Sequence, residues 1–274
     1  MKYTVITTFH QAGLDQYGQR MIDTFEALWP ADVALVIYAE NCQPRTIRPN
    51  TTVINLLEAS ADLRVFIDRH RDNPLAHGRA GPPEVFDPKK QFRWDAVRFS
   101  YKVFSVAHAA EHLSTDWMIW IDADTHTHTP VPMSAFDELC PATAGLSYLG
   151  RGEKYHSECG WVGYNLNDPD CKKFIQEFVN MYKQDDIFKL SEWHDSYVWD
   201  RVRKRSSPAI FHNLNRHMHA KNLSGHPFIN SALGNYMDHA KGNRKKYGHS
   251  LSTDIQQHQD HPYWKQILQS QKAQ

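Results

Sequence analysis

The chain has 274 residues, enough for one large α/β domain, with 41% hydrophobic and 12% aromatic side chains to fill a core. Its 31 basic and 31 acidic residues cancel, which argues against a protein whose main business is coating nucleic acid. The run Met1 to Phe9 is too short for a signal core, and no stretch is long and apolar enough to span a bilayer. Four cysteines lie far apart without a CxxC pair, so a disulfide framework or zinc knuckle is not expected, and the predicted location is a reducing cytoplasm.

Tyr3 to Phe9 reads as a buried strand. A helical pattern follows over Tyr17 to Trp29, with Met21, Ile22, Phe25, Leu28 and Trp29 on one face, and Pro30 ends it. Val33 to Ala39 and Thr52 to Leu57 read as two further buried strands. This βαβ rhythm predicts a parallel sheet with helices on both faces.

The proline- and glycine-rich stretch Asp72 to Lys90 predicts a long loop, and long loops in compact domains often bind or cover a ligand. A helix is expected over Arg93 to Leu113, then an apolar strand, Trp117 to Ile121. Gly145 to Leu149 and Trp161 to Leu166 read as strands. Asp168-Pro169 is a helix start, since Asp can cap orphan amides and Pro fits the first helical position; the helix is expected to reach Leu190. Another is expected over Asp195 to Arg205. Beyond Pro208 the chain is rich in His, Asn and Gly and reads as irregular. A single domain over residues 1–250 followed by a tail, 251–274, is the simplest organisation.

The sharpest local signal is the strand Trp117 to Ile121 running into Asp122-Ala-Asp124. Carboxylates one residue apart at a strand end project to one side of the sheet edge, where open α/β sheets bind ligands. They repel each other, and a hard divalent cation, Mn2+ or Mg2+, would hold them together and bridge to a diphosphate. Taken alone, Asp-x-Asp is equally compatible with a strand end that caps a turn. His126 and His128 continue the alternation and read as polar residues past the strand end. A second signal is His239-Ala-Lys-Gly242-Asn-Arg-Lys245: a His completes an oxygen-rich metal site, a Gly admits close backbone approach, and a Lys supplies a point charge. Alone it would pass for a basic surface loop.

Together the two motifs resemble GT-A glycosyltransferases, and His-x-x-Gly-x-x-Lys is most similar to the glycogenin-like, retaining branch. The resemblance implies a Rossmann-like α/β fold with a mainly parallel central sheet flanked by helices, a nucleotide-sugar donor (UDP-sugar first) and manganese. Asp122 would hold ribose and metal, Asp124 and His239 would ligate the metal, and Gly242 and Lys245 would meet the diphosphate. That branch usually follows the Lys with Pro-Trp, whereas this chain has Lys246-Tyr247. Thr7, Thr8 and Phe9 end the first strand, where such enzymes bind the nucleobase, with Glu40 beside them; Arg98 and Lys102 stand where a basic residue meets the donor.

Glu158, Gly160 and Trp161 resemble the loop bordering donor sugar and acceptor, with the indole as a platform for a pyranose; a buried aromatic strand is the other reading. Asp195 occupies the place of a general base or a sugar-binding carboxylate, or it is a helix N-cap. The expected activity is hexosyl transfer to an acceptor hydroxyl on a surface glycan or similar. Alternatives are transfer to a hydroxylated base of nucleic acid, with Arg201 to Arg205 and Arg244 to Lys246 as basic clusters, and a noncatalytic carbohydrate-binding protein. Oligomeric state is not legible.

Overall fold

The computed structural model describes residues 1–270. The elements that frame the site are, in chain order, β1 (Tyr3–His10), α1 (Gln19–Leu28), β2 (Ala34–Glu40), β3 (Thr51–Asn55) and α2 (Ala61–His70). Next come α3 (Ala96–His112), β4 (Trp117–Ile121), β5 (Thr125–Thr127), β6 (Leu146–Leu149) and β7 (Glu158–Asn165). The chain closes with α4 (Pro169–Lys183), α5 (Asp195–Arg203), β8 (Phe211–Asn213), β9 (Met237–His239) and α6 (Pro262–Ser270).

Seven strands form one sheet in the order β3-β2-β1-β4-β7-β6-β8. Every neighbouring pair is parallel except those involving β7, which runs against both β4 and β6. This is the mostly parallel, helix-flanked α/β sheet expected from the βαβ rhythm. Strand β4 shows why an unbroken apolar run was needed. Trp117, Ile119 and Ile121 enter the core shared with α1 and α6, while Met118 and Trp120 enter the core shared with α2, α3, α4 and α5. A strand covered on both faces has no solvent side on which to place polar residues.

Local chemistry sets the element ends. Asp168 accepts from the amides of Asp170 at 2.8 Å and Cys171 at 2.9 Å, capping α4 with Pro169 at its first position. The helix stops at Lys183, short of Leu190, because Asp185 takes a left-handed φ of 59°. Helix α3 starts at Ala96 rather than Arg93: Asp95 caps it by accepting from Arg98 N at 3.2 Å. The Arg93 carbonyl instead accepts the amides of Trp193 and His194, at 2.8 and 3.1 Å.

Two expectations are corrected by burial. Strand β3 is an edge strand that pairs only with β2 and leaves Val53 41% exposed, so it is not buried; it ends at Asn55, which caps the next turn. Residues 251–270 do not trail from the domain. Helix α6 packs Trp264 wholly into the core, and its Nε1 donates to Gly234 O at 2.7 Å. Residues 271–274 of the expected tail lie outside the described residues. Among the described residues no helix is long and apolar enough to cross a membrane.

Candidate donor and metal site

Because β1, β2 and β4 are parallel, Thr8, Glu40 and Asp122 reach the same edge of the sheet. A cleft of about 730 Å³ opens there, walled by Thr8 and Glu40 on one side and by Arg98 and Lys102 of α3 on another, with Asp122 and Asp124 at its base. A wider hollow of about 990 Å³ lies by β8 between His212, Arg216 and His258, but it shares no residue with this cleft and contains no carboxylate pair.

The chain crosses 115 residues to complete the cluster. Strand β5 begins directly after Asp124 and pairs antiparallel with β9, setting Thr125 opposite His239. Ala240 N then donates to Asp124 O at 2.9 Å. His239 Nε2 comes to lie 3.1 Å from Asp124 Oδ1 and 3.7 Å from Asp122 Oδ2. One ligand atom from each of Asp122, Asp124 and His239 lies within 4.8 Å of the others, so these residues can hold a metal ion. Their chemistry fits a hard divalent cation, and Glu158 Oε1 lies 3.9 Å from the far ring nitrogen of His239, Nδ1, where a carboxylate can orient the imidazole.

Cations surround the carboxylates. Lys245 Nζ lies 3.1 Å from Asp124 Oδ2 and 4.6 Å from the centre of the Tyr17 ring. Burial alone would raise the Asp124 pKa, but His239 and Lys245 outweigh it and hold the carboxylate well below its usual range. Burial likewise disfavours the charged form of His239, yet Asp124, Glu158 and Asp122 raise its pKa. Lys102, beneath the cleft, donates to Cys159 O at 2.6 Å, to Asp122 Oδ1 at 3.1 Å and to Asp195 Oδ2 at 2.6 Å. Its burial is offset by Asp122 and Asp195, which keep the ammonium charged. Trp120 Nε1 adds a bond to Asp122 Oδ1 at 2.7 Å.

The other predicted residues divide into those that meet here and those that do not. Thr8 donates to Glu40 Oε1 at 2.9 Å, and burial pushes the Glu40 carboxyl up to about 7 against the pull of Thr8 and Arg98. Phe9 borders the cleft from a largely buried position, whereas Thr7 is wholly buried and out of reach of it. Glu158 is buried behind His239, 3.9 Å from Nδ1, and ion-paired with Lys241. Burial raises its pKa but Lys241, His239 and His226 override that and hold it low.

Gly160 does not face a sugar. A Cβ there would sit 2.6 Å from His239 Cε1, so the glycine makes room for the imidazole, and its carbonyl accepts from Asp122 N at 3.0 Å. Trp161 is fully buried in the core beside α1, which removes it as a pyranose platform. Asp195 opens α5 but does not cap it; His194 does, accepting from Tyr197 N. Gly242, at φ 61° with open space around it, starts the basic turn that carries Lys245. His126 and His128, past the end of β4, pack against α6: His126 Nε2 lies 3.0 Å from the Tyr263 hydroxyl, and His128 stacks on the Tyr263 ring at 3.9 Å.

Sequence reading passed over Lys241, Trp120 and Tyr17. Trp120 carried a signal, since it stands two residues before Asp122 on the same face of an extended strand. Lys241 and Tyr17 had none, because only the fold sets them against Glu158 and Lys245.

Comparison with solved structures agrees with this architecture. Mouse xyloside xylosyltransferase 1, in its apo form, superposes with a TM-score of 0.50 at 10% identity over 89% of this chain and 99% of that one. The fold is one that glycosyltransferases use. The apo WbbM bifunctional glycosyltransferase matches with a TM-score of 0.51 at 9% identity over 97% of this chain, which spans about half of that larger protein, 51%. No known family profile matches the sequence, and no curated protein matches it either. At such identities the glycosyltransferase likeness is one of fold.

Proposed function

We propose that the chain is a metal-dependent glycosyltransferase that moves a hexose from a nucleotide-sugar, a UDP-sugar first, to an acceptor hydroxyl on a surface glycan or similar. The observation that carries this reading is the convergence of Asp122, Asp124 and His239 with Lys245 at the carboxyl edge of a glycosyltransferase-type sheet. Mn2+ or Mg2+ held by those three residues would offset charge on the departing nucleoside diphosphate.

The chain's own groups do the rest. Lys245 turns from Asp124 toward the diphosphate and offers its ammonium. Arg98 reaches the donor from the α3 wall, and Thr8 with Glu40 borders the nucleobase. Asp195 commits one oxygen to Lys102 and keeps the other for a sugar hydroxyl, which favours sugar positioning over proton abstraction. Lys102 holds Asp122 and Asp195 at a set spacing and so fixes donor and sugar ends relative to each other. Glu158 acts from behind, through His239.

A nucleic-acid acceptor draws less support from the geometry. Arg203 and Arg244, one from each of the two basic clusters, are each held by a carboxylate, Asp200 and Asp254. A noncatalytic carbohydrate-binding role is separated from this reading by nucleotide binding. UDP titrated calorimetrically into the protein should bind with Mn2+, lose affinity in EDTA, and bind Asp124→Ala at least about tenfold more weakly. If no nucleoside diphosphate binds under any of these conditions, the proposal fails.

A further inference from the structure

Outside the cleft, a second set of side chains converges in the manner of metal ligands. His156, on the connection between β6 and β7, faces Glu192 and His194 on the segment that enters α5. One ligand atom from each of the three lies within 4.8 Å of the others. His194 Nε2 is 2.9 Å from Glu192 Oε2, and His156 Nε2 is 3.7 Å from that same oxygen. Ligand atoms around a tetrahedral zinc ion sit roughly 3.3 Å apart, given Zn–N bonds of about 2.0–2.1 Å, and the two spacings to Glu192 Oε2 bracket that requirement.

We infer that His156, Glu192 and His194 form a second metal site, suited to zinc and distinct from the oxygen-rich site in the cleft. Two imidazoles and a single carboxylate suit a borderline-soft ion, whereas the aspartate-rich cleft suits a hard one.

The ligands are held in advance. Arg93 Nη1 donates to Glu192 Oε1 at 2.8 Å, which turns Oε2 toward the two rings. The backbone between Glu192 and His194 is pinned by amides of Trp193 and His194 donating to Arg93 O, and the Trp193 side chain is buried. Side-chain exposures of 41% for His156, 14% for Glu192 and 12% for His194 leave an approach from solvent on the His156 side. His194 gives up a long 3.4 Å cap contact from Tyr197 N when Nε2 takes the metal and Nδ1 takes the proton. That contact is weak beside a metal–ligand bond. The ion ties the β6–β7 connection to the start of α5, one residue from Asp195. This inference does not depend on the glycosyltransferase reading.

The test uses the full chain carrying Asp124→Ala, which silences the cleft, stripped with EDTA and titrated with Co2+ and then Zn2+. The expected result is one equivalent of Co2+ giving the intense visible absorption of a tetrahedral site, displaced by Zn2+. Adding His156→Ala, a change at a part-exposed side chain, should weaken zinc binding at least about tenfold while far-UV circular dichroism stays the same. Glu192→Gln in the same background should weaken it as well. Absence of a tetrahedral cobalt spectrum overturns the inference, as does zinc affinity that neither His156→Ala nor Glu192→Gln alters.

Discussion

Gly160 shows how a residue without a side chain can determine a site. Its missing Cβ is the space that the His239 ring occupies, and His239 is 1% exposed. Gly160→Ala should therefore rotate or displace the imidazole away from Asp124. Metal-dependent UDP affinity is expected to fall about 10–100-fold, the usual cost of disturbing the support behind a ligand. Calorimetry with Mn2+ checks this, and unchanged affinity would mean that His239 does not contribute to the site. The two aspartates were legible because a strand end places them without help. The role of Gly160 was not, because the ring it accommodates comes from a strand 79 positions later in the chain.

Among the elements, α6 has the clearest energetic consequence. Trp264 is 0% exposed, its indole N–H is bonded to Gly234 O, and the neighbouring Tyr263 hydroxyl donates to the buried Asp238 at 2.8 Å. Asp238 also accepts from Ser250 N at 2.9 Å, so α6 and the far end of the Lys245-bearing loop lean on one carboxylate. Trp264→Ala should destabilise the fold by about 3–5 kcal/mol, the range for emptying a buried aromatic site. Urea denaturation followed by fluorescence measures it; a loss under about 1 kcal/mol would show the helix to be dispensable. The amphipathic patterns of α1 and α4 announced themselves by period. The 251–270 segment did not, because the surface that it covers exists only once the sheet has formed.

For the molecule as a whole, buried histidines dominate the pH response. Burial lowers the His126 and His128 pKa values to about 3 from 6.5. The unfolded chain therefore binds two more protons than the folded one as pH falls below 6.5, and stability is lost on the way to pH 3. Glu40 works the other way: with its folded value raised to about 7 from 4.5, it favours the folded state at the acid end of that window. His226, more deeply buried, adds to this loss, whereas His239, whose pKa its carboxylate neighbours raise, sides with Glu40; the three lowered histidines outweigh these two groups, so stability falls on acidification between about pH 6.5 and 4.5. Urea midpoints at pH 7, 6 and 5 should fall in that order, and a midpoint that rose toward pH 5 would reverse the assignment of these groups.

What the sequence by itself determined was whatever depends on neighbours along the chain. The two-sided apolar strand β4, the Asp-x-Asp at its end, the Asp168-Pro169 start of α4 and the βαβ alternation follow from residue spacing and backbone chemistry. Tertiary structure alone decided which of the many polar residues meet. The β5–β9 pairing brings His239 to Asp124, and the parallel sheet stacks Thr8, Glu40 and Asp122 along one edge. The packing of α3 against β1 and β4 lets Lys102 join Asp122 to Asp195, and on the opposite face of the sheet Trp161 turns into the core beside α1 although its sequence context suited a sugar platform. Contacts between distant segments depend on the direction in which each side chain leaves its element, and that direction is set only when the elements pack.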